Sequence, residues 1–206
     1  PVGVAVELLA GIPSIIYGMW GFFVLGPMLA DKIEPAIADA VENIPILNVI
    51  FAGPASNLSL FNASLVLAIM ILPFVTAISR DVFNTVPPVL KEAAYGLGCT
   101  TWEVVRRVVI PYTRVGVIGG IMLALGRALG ETMAVTFVIG NSFRISGSIF
   151  APGATISAAI ASEFAESRDL HQSALILLGL LLFVLTFFVL AAARLMLMRL
   201  ERKQGV

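Results

Sequence analysis

The chain has 206 residues, of which 59% are hydrophobic and only 13% charged, and its mean hydropathy is +0.99. A soluble globule could not hide that much apolar surface, so lipid is the expected solvent. The 13 Lys and Arg balance the 13 Asp and Glu, so the overall charge gives no sign of a nucleic-acid or acidic-surface partner, and the information lies in where the charges sit. A single cysteine, Cys99, allows no internal disulfide, and with no His or second Cys near it neither a metal site nor a cofactor is expected. The chain opens on Pro1, and no charged segment precedes the first apolar run; it reads as lacking a signal peptide and its natural start.

A bilayer core of roughly 30 Å needs about 20 helical residues. Four stretches qualify, at approximately 8–30, 58–79, 113–140 and 173–196, which predicts an all-α polytopic membrane protein in a single domain over 1–206. The first stretch carries Pro13, Gly18, Gly21 and Gly26 and the second Pro73, residues tolerated where neighbouring helices repair the freed backbone groups. Between the spans lie 31–57, with turn-prone Gly53 and Pro54; 80–112; and 141–172, with Pro152 and Gly153.

Lys and Arg near span ends set orientation. Nine of them (Arg80, Lys91, Arg106, Arg107, Arg114, Arg194, Arg199, Arg202 and Lys203) flank 80–114 or the C-terminus, against Lys32, Arg144 and Arg168 elsewhere. This places the 80–114 loop, the C-terminus and the N-terminus in the cytoplasm. The outward loops are acidic, with Asp31, Glu34, Asp39, Glu42, Glu163, Glu166 and Asp169, read as solvated surface. Glu7, near the inner end of the first span, reads as a helix cap rather than a vestibule residue. His171 reads as a surface histidine. Ile156, Ala159, Ile160 and Phe164 share one face of a short outer helix, read as core packing.

In the cytoplasmic loop, Pro87 and Pro88 suit a first helical turn and Gly98 a left-handed stop, isolating Val89–Leu97 as a short helix. Thr100 and Glu103 form a capping box that starts a second helix toward Pro111, with Trp102, Val105, Val108 and Val109 on one face. Two short helices lying across the membrane surface would make a rigid knob between spans two and three. Within the third span Arg127 and Glu131 lie four residues apart, where a charge costs a few kcal/mol or more and usually faces a bundle interior or wet cavity. Arg before Glu is the weaker order for a helical pair, so local helix stability does not account for them. Either Arg127 offers its planar fork to a passing oxyanion while Glu131 holds it, or the pair neutralises itself or bridges to a second subunit. Gly116, Gly120, Ala124 and Ala128 form one row of small residues and Gly126, Gly130 and Ala134 another, as in closely packed membrane helices.

Glu92-Ala93-Ala94, Gly98, Val108, Ile110 and Pro111 resemble the EAA loop of ABC-importer permeases, E-A-A-x3-G-x9-I-x-L-P, with Val108 and Ile110 at its Ile and Leu positions. That resemblance implies that Lys91–Gly98 is a coupling helix docking on a separate ATPase. The segments Glu7–Gly21, Ser79–Phe83, Tyr95–Val104 and Gly119–Val135 resemble, more specifically, the PstC-type permeases of the bacterial phosphate-specific ABC importer. The family resemblance implies a type I ABC-importer transmembrane domain with four of the family's six spans present and the N-terminal ones missing. Its implied partners are a second permease subunit, two ATP-binding subunits and a periplasmic or lipid-anchored phosphate-binding protein, in the bacterial inner membrane. No G-x-x-x-x-G-K-[ST] run occurs in the chain, so it is expected to be no enzyme, with ATP hydrolysis on a partner. Import of molybdate or sulfate, ion-coupled secondary transport and a non-transporting scaffold remain as alternatives.

Overall fold

A computed structural model describes residues 2–42, 44–51, 53 and 56–204, and among these the regular elements are all helical. The order is α1 (Val2–Ala10), α2 (Ser14–Val41), α3 (Pro45–Phe51), α4 (Leu60–Asn84), α5 (Pro88–Gly96), α6 (Thr101–Leu129), α7 (Met133–Ile139), α8 (Ile156–Glu163) and α9 (Asp169–Gln204). Four of these, α2, α4, α6 and the Asp169–Arg199 part of α9, are long and apolar enough to cross a membrane. The four expected spans are therefore present, with different limits.

The first starts later and runs further than 8–30. Gly11 to Pro13 interrupt the helix, so Val2–Ala10 is a separate element, and α2 then continues to Val41 through two π turns, at Gly21–Leu25 and Leu29–Ile33. The Glu7 side chain and Pro54 lie outside the described residues. The third span departs most. Expected at 113–140, it begins at Thr101 and stops at Leu129. The second short helix of the expected knob is not free-standing, because Thr101–Val104 runs through a π turn at Val105–Val109 straight into the span. The buried face there is Val104 and Val109, at 2% and 8% exposure, and Trp102 is outward at 68%. The five-residue spacing of the two buried valines matches the wider π turn, which a 3.6-residue reading of this segment could not anticipate.

Beyond Leu129 the chain breaks at Gly130–Thr132 before α7, and side chains take up the freed backbone groups. The Ser157 hydroxyl donates to the Glu131 carbonyl at 2.9 Å, and the Thr132 hydroxyl donates to the Gly130 carbonyl at 3.1 Å. This is how a break in a membrane helix is kept free of orphan polar groups.

The chain divides into two compact units, Pro1–Ala10 with Ile71–Leu129 and Thr186–Val206, and Gly11–Met70 with Gly130–Leu185. In the first unit the row Gly116, Gly120 and Ala124 acts as expected, whereas the expected row Gly126, Gly130 and Ala134 is cut by the end of α6 at Leu129, leaving Ala134 on α7. A Cβ on Gly116 would lie 2.6 Å from Val82 Cγ1 and one on Gly120 2.6 Å from Ile78 Cγ2, so α6 and α4 approach more closely than any side chain there would allow. A Cβ on Gly126 would lie 3.1 Å from Leu190 of α9. In the second unit α7 packs on α2, where a Cβ on Gly18 would fall 2.9 Å from the Ala134 Cα. On α8, Ser157, Ala158 and Ala159 are the buried residues, packed toward α7, and Phe164 is 46% exposed, so it does not belong to the buried face.

Candidate functional site

The corner from α5 to α6 is built almost wholly from neighbours in sequence. Pro87 and Pro88 fix the entry of α5, with Pro88 in its first turn. Its end is a complete Schellman motif: the Cys99 N–H donates to the Ala94 carbonyl at 3.2 Å and the Gly98 N–H to the Tyr95 carbonyl at 2.9 Å. Gly98 sits at φ +84°, in the left-handed region that a side chain disfavours. The capping box follows at once. The Glu103 N–H donates to Thr100 Oγ1 at 3.4 Å, and the Thr100 N–H and hydroxyl both donate to Glu103 Oε2 at 2.9 Å.

This double cap leaves α5 projecting with a mostly bare face. Ala94 is buried beneath it, whereas Glu92, Ala93, Tyr95 and Gly98 are exposed, Leu97 is 86% exposed and Val89 71%. Among the described residues nothing lies within 4 Å of a Cβ built on Gly96 or Gly98. A short, rigidly capped helix presenting apolar groups, one carboxylate and two open glycine positions is suited to docking against another protein. Pro111 is exposed at the second position after the π turn, on the same continuous helix.

The second candidate lies around Arg127 and Glu131, and the structure corrects their relation. An i and i+4 pair on one helical face needs helix through residue 131, but α6 ends at Leu129. Arg127 occupies the last turn of α6, exposed, with its guanidinium carbon 5.9 Å from the centroid of the Phe74 ring. Glu131 lies in the break and is half-buried, and its Oε1 accepts from the Ala134 N–H at 3.3 Å, so it caps the start of α7. The two residues have separate local duties.

A family profile described as "Binding-protein-dependent transport system inner membrane component" matches residues 2–202. The chain belongs to this family. As a member of this family of inner-membrane components with four membrane-capable helices, it is a multi-pass membrane protein. Among its relatives is the "Phosphate transport system permease protein PstC" of Mesorhizobium japonicum, 65% identical over the whole of this chain and 63% of that protein. The protein of the same name from Pasteurella multocida is 56% identical, over the whole of this chain and 64% of its own length. The chain thus spans a little under two thirds of these relatives. An inward-facing structure of the MetNI methionine ABC transporter superposes with a TM-score of 0.66 at 16% identity, covering 96% of this chain and 73% of that one. That likeness supports the ABC-transporter transmembrane fold expected for this family member.

Two polar features of this family member escape a reading by periodicity. Glu34, expected as solvated surface, is 1% exposed. Its Oε1 accepts from the Ser59 hydroxyl at 3.1 Å and its Oε2 from the Ser56 N–H at 3.2 Å. Ser59 Oγ in turn accepts from the Asn62 N–H at 3.1 Å, and the Asn62 amide donates to the carbonyls of Gly21 at 3.1 Å and Asn57 at 2.8 Å. Gly21 opens the first π turn of α2, so Asn62 ties that turn to the start of α4. The remaining amides there are taken by backbone: Ser59 donates to Val138, Leu60 to Ala151 and Phe61 to Ile149. The partners lie more than 20 residues from Glu34, beyond any local pattern. The available signal was compositional, in Ser56-Asn57-Leu58-Ser59 immediately before an apolar span. His171, read as a lone surface residue, has Nε2 2.9 Å from Glu163 Oε2, linking the start of α9 to the end of α8.

Proposed function

We propose that this chain is part of the membrane-spanning region of a permease that carries inorganic phosphate into the cytoplasm, driven by a separate ATPase that docks on α5. The observation that carries the cargo is 65% identity along the entire chain to a protein named for phosphate transport. The bare α5, joined to α6 through the Schellman motif and the capping box, supports the motor connection, with Glu92, Ala93 and Gly98 as the docking surface, Ala94 packed beneath it and Pro111 at the root of the adjoining span.

In this reading the 80–114 loop and the C-terminus face the cytoplasm, as the nine flanking Lys and Arg favour. The partners are a second permease, two ATP-binding subunits and a periplasmic or lipid-anchored phosphate-binding protein, with hydrolysis confined to the ATP-binding subunits. Closure of the ATPase pair pulls α5, and because Thr101–Leu129 is one uninterrupted helix, the pull is delivered along its axis toward Arg127. Arg127 is permanently charged and exposed, and offers phosphate a planar set of donors. Glu131, at the helix break four residues on, is the second pathway residue. A single arginine holds an oxyanion weakly, as a pump requires of a site it must empty.

The test is uptake of labelled phosphate by vesicles carrying the complete transporter. ATP-dependent accumulation with no proton gradient is the expected result. Accumulation under a proton gradient without ATP or the ATPase subunits contradicts the account, and preferential uptake of molybdate or sulfate reassigns the cargo.

A further inference from the structure

The close packing of α4 against α6 has a ladder geometry. Val82 meets Gly116 and Ile78 meets Gly120, so moving four residues toward the start of α4 moves four residues toward the end of α6. Carried one step further, the same register sets Phe74 opposite Ala124, which is 2% exposed. Three residues beyond Ala124 on α6, the Arg127 guanidinium lies over the Phe74 ring, 5.9 Å from its centroid. The glycines below set the separation at which this meeting occurs.

An aromatic face holds a cation differently from a carboxylate. Its quadrupole attracts the guanidinium, most strongly where water is scarce, but it cancels no charge and occupies none of the five N–H donors. No ion pair to Arg127 occurs among the described residues, and Phe74 is the partner the structure gives it. A carboxylate in the same place would compete with any oxyanion for the fork.

We propose that Phe74 is the positioning residue of Arg127, a neutral aromatic platform that orients the guanidinium while leaving its full charge and donor set free for the oxyanion. This rests on the reading of Arg127 as the phosphate-contacting residue. Phe74 touches no cargo in this scheme and acts only through Arg127.

The test measures ATP-driven phosphate uptake by the complete transporter in vesicles, with phenylalanine analogues carrying one, two or three ring fluorines introduced at position 74. Fluorination drains the ring face of negative potential while nearly preserving its shape. The half-saturation concentration for phosphate is expected to rise stepwise along the series, and Phe74→Leu to raise it roughly tenfold, while Phe74→Trp stays within about twofold of the parent. A flat response along the fluorinated series overturns the proposal even if Phe74→Leu fails to assemble. Arg127→Gln in the same vesicles separates the two levels. If it abolishes uptake while the fluorinated series is flat, only the platform falls; if it leaves uptake intact, the reading of Arg127 falls and the platform with it.

Discussion

The α5–α6 corner and the cluster around Glu34 both hold the beginning or end of a helix with side-chain and backbone hydrogen bonds, yet they are built on opposite plans. The corner closes on itself: every bond in its Schellman motif and capping box spans five residues or fewer, and among the described residues nothing lies within 4 Å of a Cβ on its Gly96 or Gly98. The Glu34 cluster closes across the fold, joining α2 to the start of α4 through partners 22, 25 and 41 residues apart, and its Glu34, Ser59 and Asn62 are buried. A self-contained corner can lose or gain a neighbour without disturbing the bundle, as a docking element must. A cross-linked buried cluster cannot, and it serves the fold.

That contrast can be broken by exchanging the kinds of damage. Glu34→Leu leaves the Ser59 hydroxyl and the Ser56 N–H without their acceptor, and is expected to cost about 1–3 kcal/mol, read as a lower unfolding temperature of the detergent-solubilised transporter. If it instead impairs uptake with no loss of stability, Glu34 belongs to the transport path and the contrast fails. Gly98→Ala is expected to cost less, about 1–2 kcal/mol, from the left-handed backbone alone, because open space surrounds the added methyl. Gly96→Ala is the gentlest probe: within a helix and in open space, it should stabilise by about 0.5–1 kcal/mol. Uptake lost in either variant beyond its stability change measures a partner surface closing over α5, and unchanged uptake in both removes α5 from the coupling path.

What could be read from the sequence follows the same division. The Thr100 and Glu103 capping box, the stop at Gly98 and the small-residue rows at Gly116, Gly120 and Gly126 were legible because each is fixed by near neighbours or by helical spacing. The π turns were not, since each adds a residue to a turn without changing composition, and so Val109 was grouped with the exposed Trp102 and the buried Val104 was left out. The break at Gly130 was hidden for a different reason: the Ser157 hydroxyl that satisfies the Glu131 carbonyl comes from 26 residues away. The predominantly apolar character of 113–140 therefore made two helices look like one and made Arg127 and Glu131 look like a helical pair. The burial of Glu34 likewise depends on Ser56 and Ser59 folding back over it.

The central proposal is that Arg127, at the end of the helix that begins at the α5–α6 corner, handles the transported anion. Arg127→Gln in the full-length permease tests it most directly, with assembly of the complete transporter and ATP-driven phosphate uptake measured on the same preparation. The account predicts a transporter that assembles in normal yield and takes up no phosphate above background. Failure to assemble, or uptake at the parental rate, would contradict it.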